Sequence, residues 1–225
     1  GNPIVAFEMA SEDGPNLHNF KVCLRRWDGV AWAELGGSGT GRGISKSAGG
    51  EWHSAVTLDM VLGLMVGWVV EGSAGLQIPV KRWTGSAWES IGSPIPVDRF
   101  EELSLAVAST GDPVVAWTGS GVNVRRWDGQ FWVDFGGTAS SVGQVSTDPF
   151  CEDLALCMDS MGNPSVAWKG SAGNTEIYFK RWRPTWAEVG PGSASGTGVS
   201  NGGGSGYVSM ALDAAGFPVL ASHKG

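Results

Sequence analysis

Apolar residues along this chain gather into runs of four to seven, rich in Val, Ala, Leu and aromatics and cut by Gly, Pro, Asp or Asn. Short runs with that punctuation predict β-strands. The runs also recur in a set order. One phrase reads SAVTLD from Ser54, LSLAVA from Leu103, LALCMD from Leu154 and SMALD from Ser209. A second follows it: GNPIVAF from Gly1, GLMVGW from Gly63, GDPVVAW from Gly111, GNPSVAW from Gly162 and GFPVLAS from Gly216. A third comes next: LRRWDGVAW from Leu24, VKRWTGSAW from Val80, VRRWDGQFW from Val124 and FKRWRPTW from Phe179. Each unit is therefore predicted to hold four strands: A, B, C and a short D opening on the second Trp.

The first Trp of the third phrase falls at 27, 83, 127 and 182, intervals of 44 to 56 residues. Four antiparallel strands per period of that length predict an all-β β-propeller of four-stranded blades. The four repeats either close as four blades or form part of a larger ring. The expected organisation is one propeller domain over residues 1–225, with units at about 1–62, 63–111, 112–162 and 163–216 and the start of a fifth at 217–225. The chain starts and ends on a B strand and reads as trimmed or excised. Ser209 to Asp213 would close the ring by supplying the first blade's missing A strand, which leaves Phe217 to Ser222 as surplus; alternatively that last strand opens a fifth blade or pairs with a second molecule.

Turn chemistry agrees with this order. The segment DxxGxP, as in Asp159 to Pro164, puts Gly where positive φ is useful and Pro at the start of a strand. Between the two Trp residues lie four residues in three units and three (Arg183, Pro184, Thr185) in the last. The pair is thus expected to face across the C–D hairpin. Arg26, Arg82, Arg126 and Arg181 precede the first Trp, and Glu34, Glu89, Asp134 and Glu188 follow the second. Cross-strand ion pairs or Arg–Trp stacking would explain both sets, with Glu89 one position out of step.

Composition narrows the classes. The chain has 225 residues, 42% hydrophobic and 16% charged, enough for a substantial core. Its 36 glycines show no three-residue period, which excludes collagen. A net charge of −7 argues against nucleic acid as a partner. No apolar run is long enough to predict a membrane-spanning helix. The three cysteines, Cys23, Cys151 and Cys157, lack metal spacing and are expected to be buried thiols.

The phrases ALDxxGxPxVAW and VxRWxGxxW, followed by a Gly/Ser-rich stretch, resemble the Trp-rich propeller-like repeats of bacterial secreted and surface proteins. The resemblance covers nearly the whole chain. It implies an extracellular or cell-surface setting and carries over no catalytic residue.

Function is expected in the long D–A connections, 36–52, 136–152 and 190–206, because varied loops on a uniform scaffold hold specificity. The ligand-contact candidates are Trp52, His53, Arg99, Phe100, Asp148 and Phe150, aromatic and charged groups beside Gly-rich loops. For each, packing over the core is the competing explanation. Catalytic motifs such as HExxH, GxSxG and a P-loop are absent from the sequence, and no metal or cofactor is predicted. Glu101–Glu102 and Glu152–Asp153 stand at the D–A junctions. Successive residues of a strand point to opposite faces, so neither pair is expected to work as acid and base. The sequence reading is a non-catalytic binding or structural module with a protein or glycan ligand, or self-association through the last strand. A lectin-like propeller and a glycan-active enzyme are its alternatives.

Overall fold

A computed structural model describes residues 2–10, 20–41, 43–45, 51–59, 63–135, 144–170 and 175–224, with the backbone alone at 51, 52, 58, 59 and 224. All regular structure among them is β. The chain divides into two compact units, Gly1–Val97 and Asp98–Gly225.

The first unit holds two antiparallel sheets. One is β1 (Ile4–Ala10), β2 (Phe20–Trp27) and β3 (Trp32–Glu34), in that order. The other contains β4 (Glu51–Asp59), β5 (Gly63–Gly72), β6 (Gly75–Ile78), β7 (Val80–Trp83), β8 (Trp88–Ser90) and β9 (Ile95–Val97). Here the C strand of the repeat is divided into β6 and β7, because Pro79 has no N–H to donate to the ladder.

The described residues of the second unit form three sheets. The first has β10 (Leu103–Val107), β11 (Pro113–Gly119), β12 (Gly121–Trp127), β13 (Trp132–Asp134) and β14 (Gln144–Ser146). The second has β15 (Glu152–Met158), β16 (Pro164–Gly170), β17 (Glu176–Trp182) and β18 (Trp186–Ala187), paired in chain order as A, B, C and D. The third pairs β19 (Ser205–Leu212) with β20 (Pro218–Lys224), so the surplus B strand joins an A strand of its own.

The B strands β5, β11 and β16 are apolar without alternation because they are covered on both faces. All seven residues of β11 (PVVAWTG) are buried. Side chains of neighbouring sheets meet over them: Val114, Val122 and Val124 pack with Leu156, Val166 and Trp168. In the first unit Val22 and Leu24 pack with Leu64, Val66 and Trp68 in the same manner.

The Trp pairs sit as the spacing predicts. Trp27 opposes Trp32, Trp83 opposes Trp88, Trp127 opposes Trp132 and Trp182 opposes Trp186. Their ring centroids are 5.8, 5.3, 5.5 and 5.7 Å apart, in edge-to-face or tilted arrangements. This register corrects the expected ion pairs. With the two Trp residues opposed, Arg26 faces Ala33 and Arg25 faces Glu34, at 4.0 Å. Arg125, not Arg126, likewise meets Asp134, at 3.2 Å. Arg82 does pair with its acid, at 3.9 Å, because Glu89 stands one position nearer its Trp.

The long Gly/Ser connections are ordered scaffold where they are described; residues 136–143 lie outside the described part. In 36–45, Ser38 accepts from the Leu35 N–H and donates to the Leu24 carbonyl at 2.9 Å, while Ile44 donates to Val22 O. In 190–205, Ser193 accepts from the Val189 N–H and donates to Phe179 O at 3.2 Å, while Val199 donates to Ile177 O. The two stretches thus repeat one another along the outer edge of the C strand. Gly43 (φ 60°) and Gly198 (φ 59°) lie so close to that edge that a Cβ would collide with the carbonyls of Val22 and Ile177. To that extent these expected loops are also part of the scaffold.

Candidate functional site

The two-residue period of a strand is broken at the start of β15. Glu152 pairs with Lys169 and Leu154 with Trp168, which leaves Asp153 as an extra residue in a β-bulge. Asp153 takes φ 44°, a left-handed conformation that Asp tolerates better than most residues. The bulge cancels the alternation, and both carboxylates reach one ammonium group. Lys169 Nζ is 2.7 Å from Glu152 Oε2 and 3.8 Å from Asp153 Oδ2. The expectation that Glu152 and Asp153 must face opposite ways is therefore wrong for this pair.

Asp153 is the more enclosed of the two, its side chain 19% exposed against 60% for Glu152. Its Oδ2 also accepts the backbone N–H of Tyr207 at 3.0 Å. The hydrogen bond to Glu152, with the charges of Glu152 and Asp153, raises the Lys169 pKa above its ordinary 10.5 against the opposing effect of burial. Lys169 is thus a fixed positive charge between two carboxylates. The Tyr207 side chain stands exposed beside them.

The bulge belongs to the repeat. His53 in β4 (φ 52°) and Tyr207 in β19 (φ 50°) occupy the same place, each at a register shift near the start of an A strand. The structure thus puts His53, one of the expected contact residues, exposed at such a bulge. Trp52 lies in the backbone of β4, and its side chain is outside the described part. Arg99 bonds Glu101 Oε1 through Nε and Nη2, at 3.2 and 2.9 Å. Phe100 is half-buried, and Phe150 is exposed.

Asp148 is half-buried in a cleft of about 280 Å³ with Ser146, Trp168, Tyr178, Ser195 and Gly196. Its Oδ1 accepts the Phe150 N–H at 3.0 Å, which links two of the expected residues. Trp168 and Tyr178 stack there at 5.9 Å, and the Tyr178 hydroxyl donates to Gly196 O at 3.1 Å. Lys169 and Tyr207 were missed in the sequence. Lys169 had no distinctive signal, since the residues at its position in the other repeats, Glu8, Val69, Thr118 and His223, are already mixed in character.

No helix among the described residues is long and apolar enough to cross a membrane. Among them, no three His, Cys, Asp or Glu side chains group as metal ligands.

No family model and no curated protein matches the chain. Solved structures do. A xylan β-1,4-xylosidase from Bacillus halodurans C-125 superposes with a TM-score of 0.50 at 13% identity, over 97% of this chain and 46% of its own. The fold is a β-propeller. An endo-arabinase from Bacteroides thetaiotaomicron VPI-5482 has a TM-score of 0.48 at 13% identity, over 97% of this chain and 88% of its own. A putative exo-β-1,3-galactanase from Bifidobacterium bifidum s17 has 0.42 at 12%, over 82% and 65%. The chain spans about half the length of the xylosidase.

At these identities the likeness bears on the propeller alone. It corrects the sequence reading nonetheless. The expected non-enzymatic module does not stand, because the solved structure that superposes at a TM-score of 0.50 is an enzyme, a xylosidase.

Proposed function

We propose that this propeller is the glycan-cleaving domain of a glycoside hydrolase, with Glu152 and Asp153 as its paired carboxylates. The observation that carries the reading is the bulge at Asp153, which turns two neighbouring acids toward one lysine. Glycosidic bonds are broken between two carboxyl groups, one donating a proton and the other staying ionised, at separations of roughly 5 to 9.5 Å. The two oxygens lie 2.7 and 3.8 Å from one ammonium nitrogen, which brings both carboxylates to one place.

The roles follow from the surroundings. Asp153 is the more enclosed and is held in place by the Tyr207 N–H and by Lys169. It is the carboxylate that activates water or stabilises positive charge on the sugar ring. Glu152 is the more exposed and reaches a leaving oxygen on turning away from Lys169. It is the proton donor. Lys169 positions both, and the exposed Tyr207 ring offers a face on which a sugar ring stacks. The name of the similar xylosidase supports a xylan-type polysaccharide as substrate, and such a polymer supports a secreted or cell-surface setting.

The test is turnover of xylan, arabinan, β-1,3-galactan and the aryl glycosides of their sugars. Activity on one of these should fall by about 10²- to 10⁴-fold in Glu152→Gln and in Asp153→Asn, with melting temperatures near the parent's. Absence of turnover on every substrate by the parent protein, or full activity in both variants, sinks the reading.

A further inference from the structure

The repeats allow one position to be compared between sheets, and at the third residue of the VxRW phrase the comparison exposes a difference. Arg181 in β17 faces Ser165 in register and is 3% exposed. Its Nε donates to Ser165 Oγ at 2.8 Å and its Nη2 to Gly216 O, in the next A–B turn, at 2.7 Å. The arginine therefore closes the gap between its own sheet and the following turn.

Arg126 in β12 occupies the same place and faces Val114. Valine has no acceptor to offer. Among the described residues, none accepts a hydrogen bond from the Arg126 guanidinium, which lies instead over the Phe135 ring at 6.0 Å. The gap that Arg181 fills is open here, as a cleft of about 300 Å³. Its walls are Arg126, Phe135, Trp182, Thr110, Asp112 and Asn163.

These walls have the chemistry of a saccharide site. Phe135 and Trp182 lie 5.7 Å apart and present ring surface to C–H groups. Arg126 supplies donors. Asp112 accepts from Thr110 Oγ1 at 2.7 Å and keeps its other carboxylate oxygen for a ligand. Asn163 spends its amide N–H on Asp159 Oδ2 at 3.1 Å, which leaves its side-chain oxygen as an acceptor. Donors and acceptors side by side match hydroxyl groups, which are both. One cation and one anion on the walls cancel, so an anionic ligand gains little. A volume of about 300 Å³ is at the small end of ligand sites, about one ring.

We propose that this cleft binds one neutral sugar residue of a glycan chain. The choice of a saccharide rests on the glycan-cleaving reading; the opening itself follows from Val114 standing where Ser165 stands one repeat later. The cleft lies at the opposite end of β15 from Glu152, about 20 Å away along the strand, so it is a second anchoring point and not part of the proposed catalytic pair.

The experiment titrates the intact chain with the methyl glycosides of xylose, glucose and galactose, and with methyl glucuronide, followed by saturation-transfer NMR and Trp fluorescence. A neutral glycoside should saturate the cleft and bind there at least tenfold more tightly than the glucuronide. Arg126→Ala should weaken it at least tenfold, and Arg126→Lys, which keeps the charge and loses the planar fork, by several-fold. Val114→Ser, which recreates the partner of Arg181, should recapture the guanidinium and weaken binding at least tenfold, with cooperative melting retained. Glu152→Gln should bind the glycoside as the parent does. No saturable binding of any neutral glycoside, a preference for the glucuronide, or binding by Arg126→Ala within twofold of the parent would overturn the proposal. Turnover lost with binding retained condemns neither assignment; binding without turnover in the parent condemns the catalytic pair alone.

Discussion

Asp153 and Tyr207 hold the same place in successive repeats, both with left-handed backbone, and the N–H of one donates to the carboxylate of the other at 3.0 Å. A carboxylate that repeats a bulge and also caps the next bulge has two functions that substitution can separate. Asparagine tolerates positive φ and keeps an acceptor, so Asp153→Asn should melt close to the parent. Alanine loses the acceptor and is strained in this conformation by roughly 1–2 kcal/mol. Thermal denaturation of the two variants should therefore rank asparagine well above alanine; equal melting temperatures would contradict the bulge.

Gly198 and Gly196 have nearly the same φ, 59° and 57°, but different surroundings. A Cβ at Gly196 meets open space, whereas one at Gly198 collides with the Ile177 carbonyl. Gly196→Ala should lose about 1 kcal/mol from backbone strain alone. Gly198→Ala should lose clearly more, about 2–4 kcal/mol, because the connection must leave the C strand as well. Urea unfolding of both variants measures the difference.

Asp128 closes its hairpin by accepting the N–H groups of Phe131 and Gln130, at 2.7 and 2.8 Å. These bonds, Phe131 first, hold its carboxyl below the ordinary 3.8. A depressed folded value contributes stability above the unfolded value and loses it as pH falls through the folded one. The melting difference between the parent and Asp128→Asn should therefore be steady near neutrality and shrink as pH falls below 3.8. A difference that is constant over that range would show the carboxylate does not hold the turn.

Burial, helped by the charge of Asp148, pushes the Cys151 thiol up to about 12, and burial also raises Cys157. Since the thiolate is the reactive form, native Cys151 should alkylate at pH 8.5 at least about a hundredfold more slowly than in denaturant. Mass spectrometry after timed iodoacetamide treatment reads this directly. Rapid native labelling at Cys151 would mean the Leu156–Trp168 core opens there.

Much of the fold was written in the sequence because the Trp pairs mark the hairpin register directly. Trp27 opposite Trp32 and Trp182 opposite Trp186 follow from spacing even where the last turn is one residue shorter. The ion-pair assignment missed by one residue, since placing Arg25 against Glu34 requires the register itself. The bulge at Asp153 was illegible for a similar reason. One extra residue in a strand leaves the apolar pattern intact and reverses only the direction of the side chains before it. The Gly/Ser stretches read as loops because their hydrogen bonds run through backbone and short hydroxyls such as Ser38 and Ser193, which carry no periodic signature. The open cleft at Arg126 depended on Val114 in place of Ser165, a change that matters only once Arg181 is seen to use the serine.

The four tryptophan pairs have an optical consequence. Indole rings held 5.3 to 5.8 Å apart at fixed tilts couple their electronic transitions, and each pair spans a single C–D hairpin. The protein thus carries four intrinsic chromophore dimers, two in each compact unit. Their exciton circular dichroism would report hairpin closure repeat by repeat when one Trp of a pair is replaced, without any attached label.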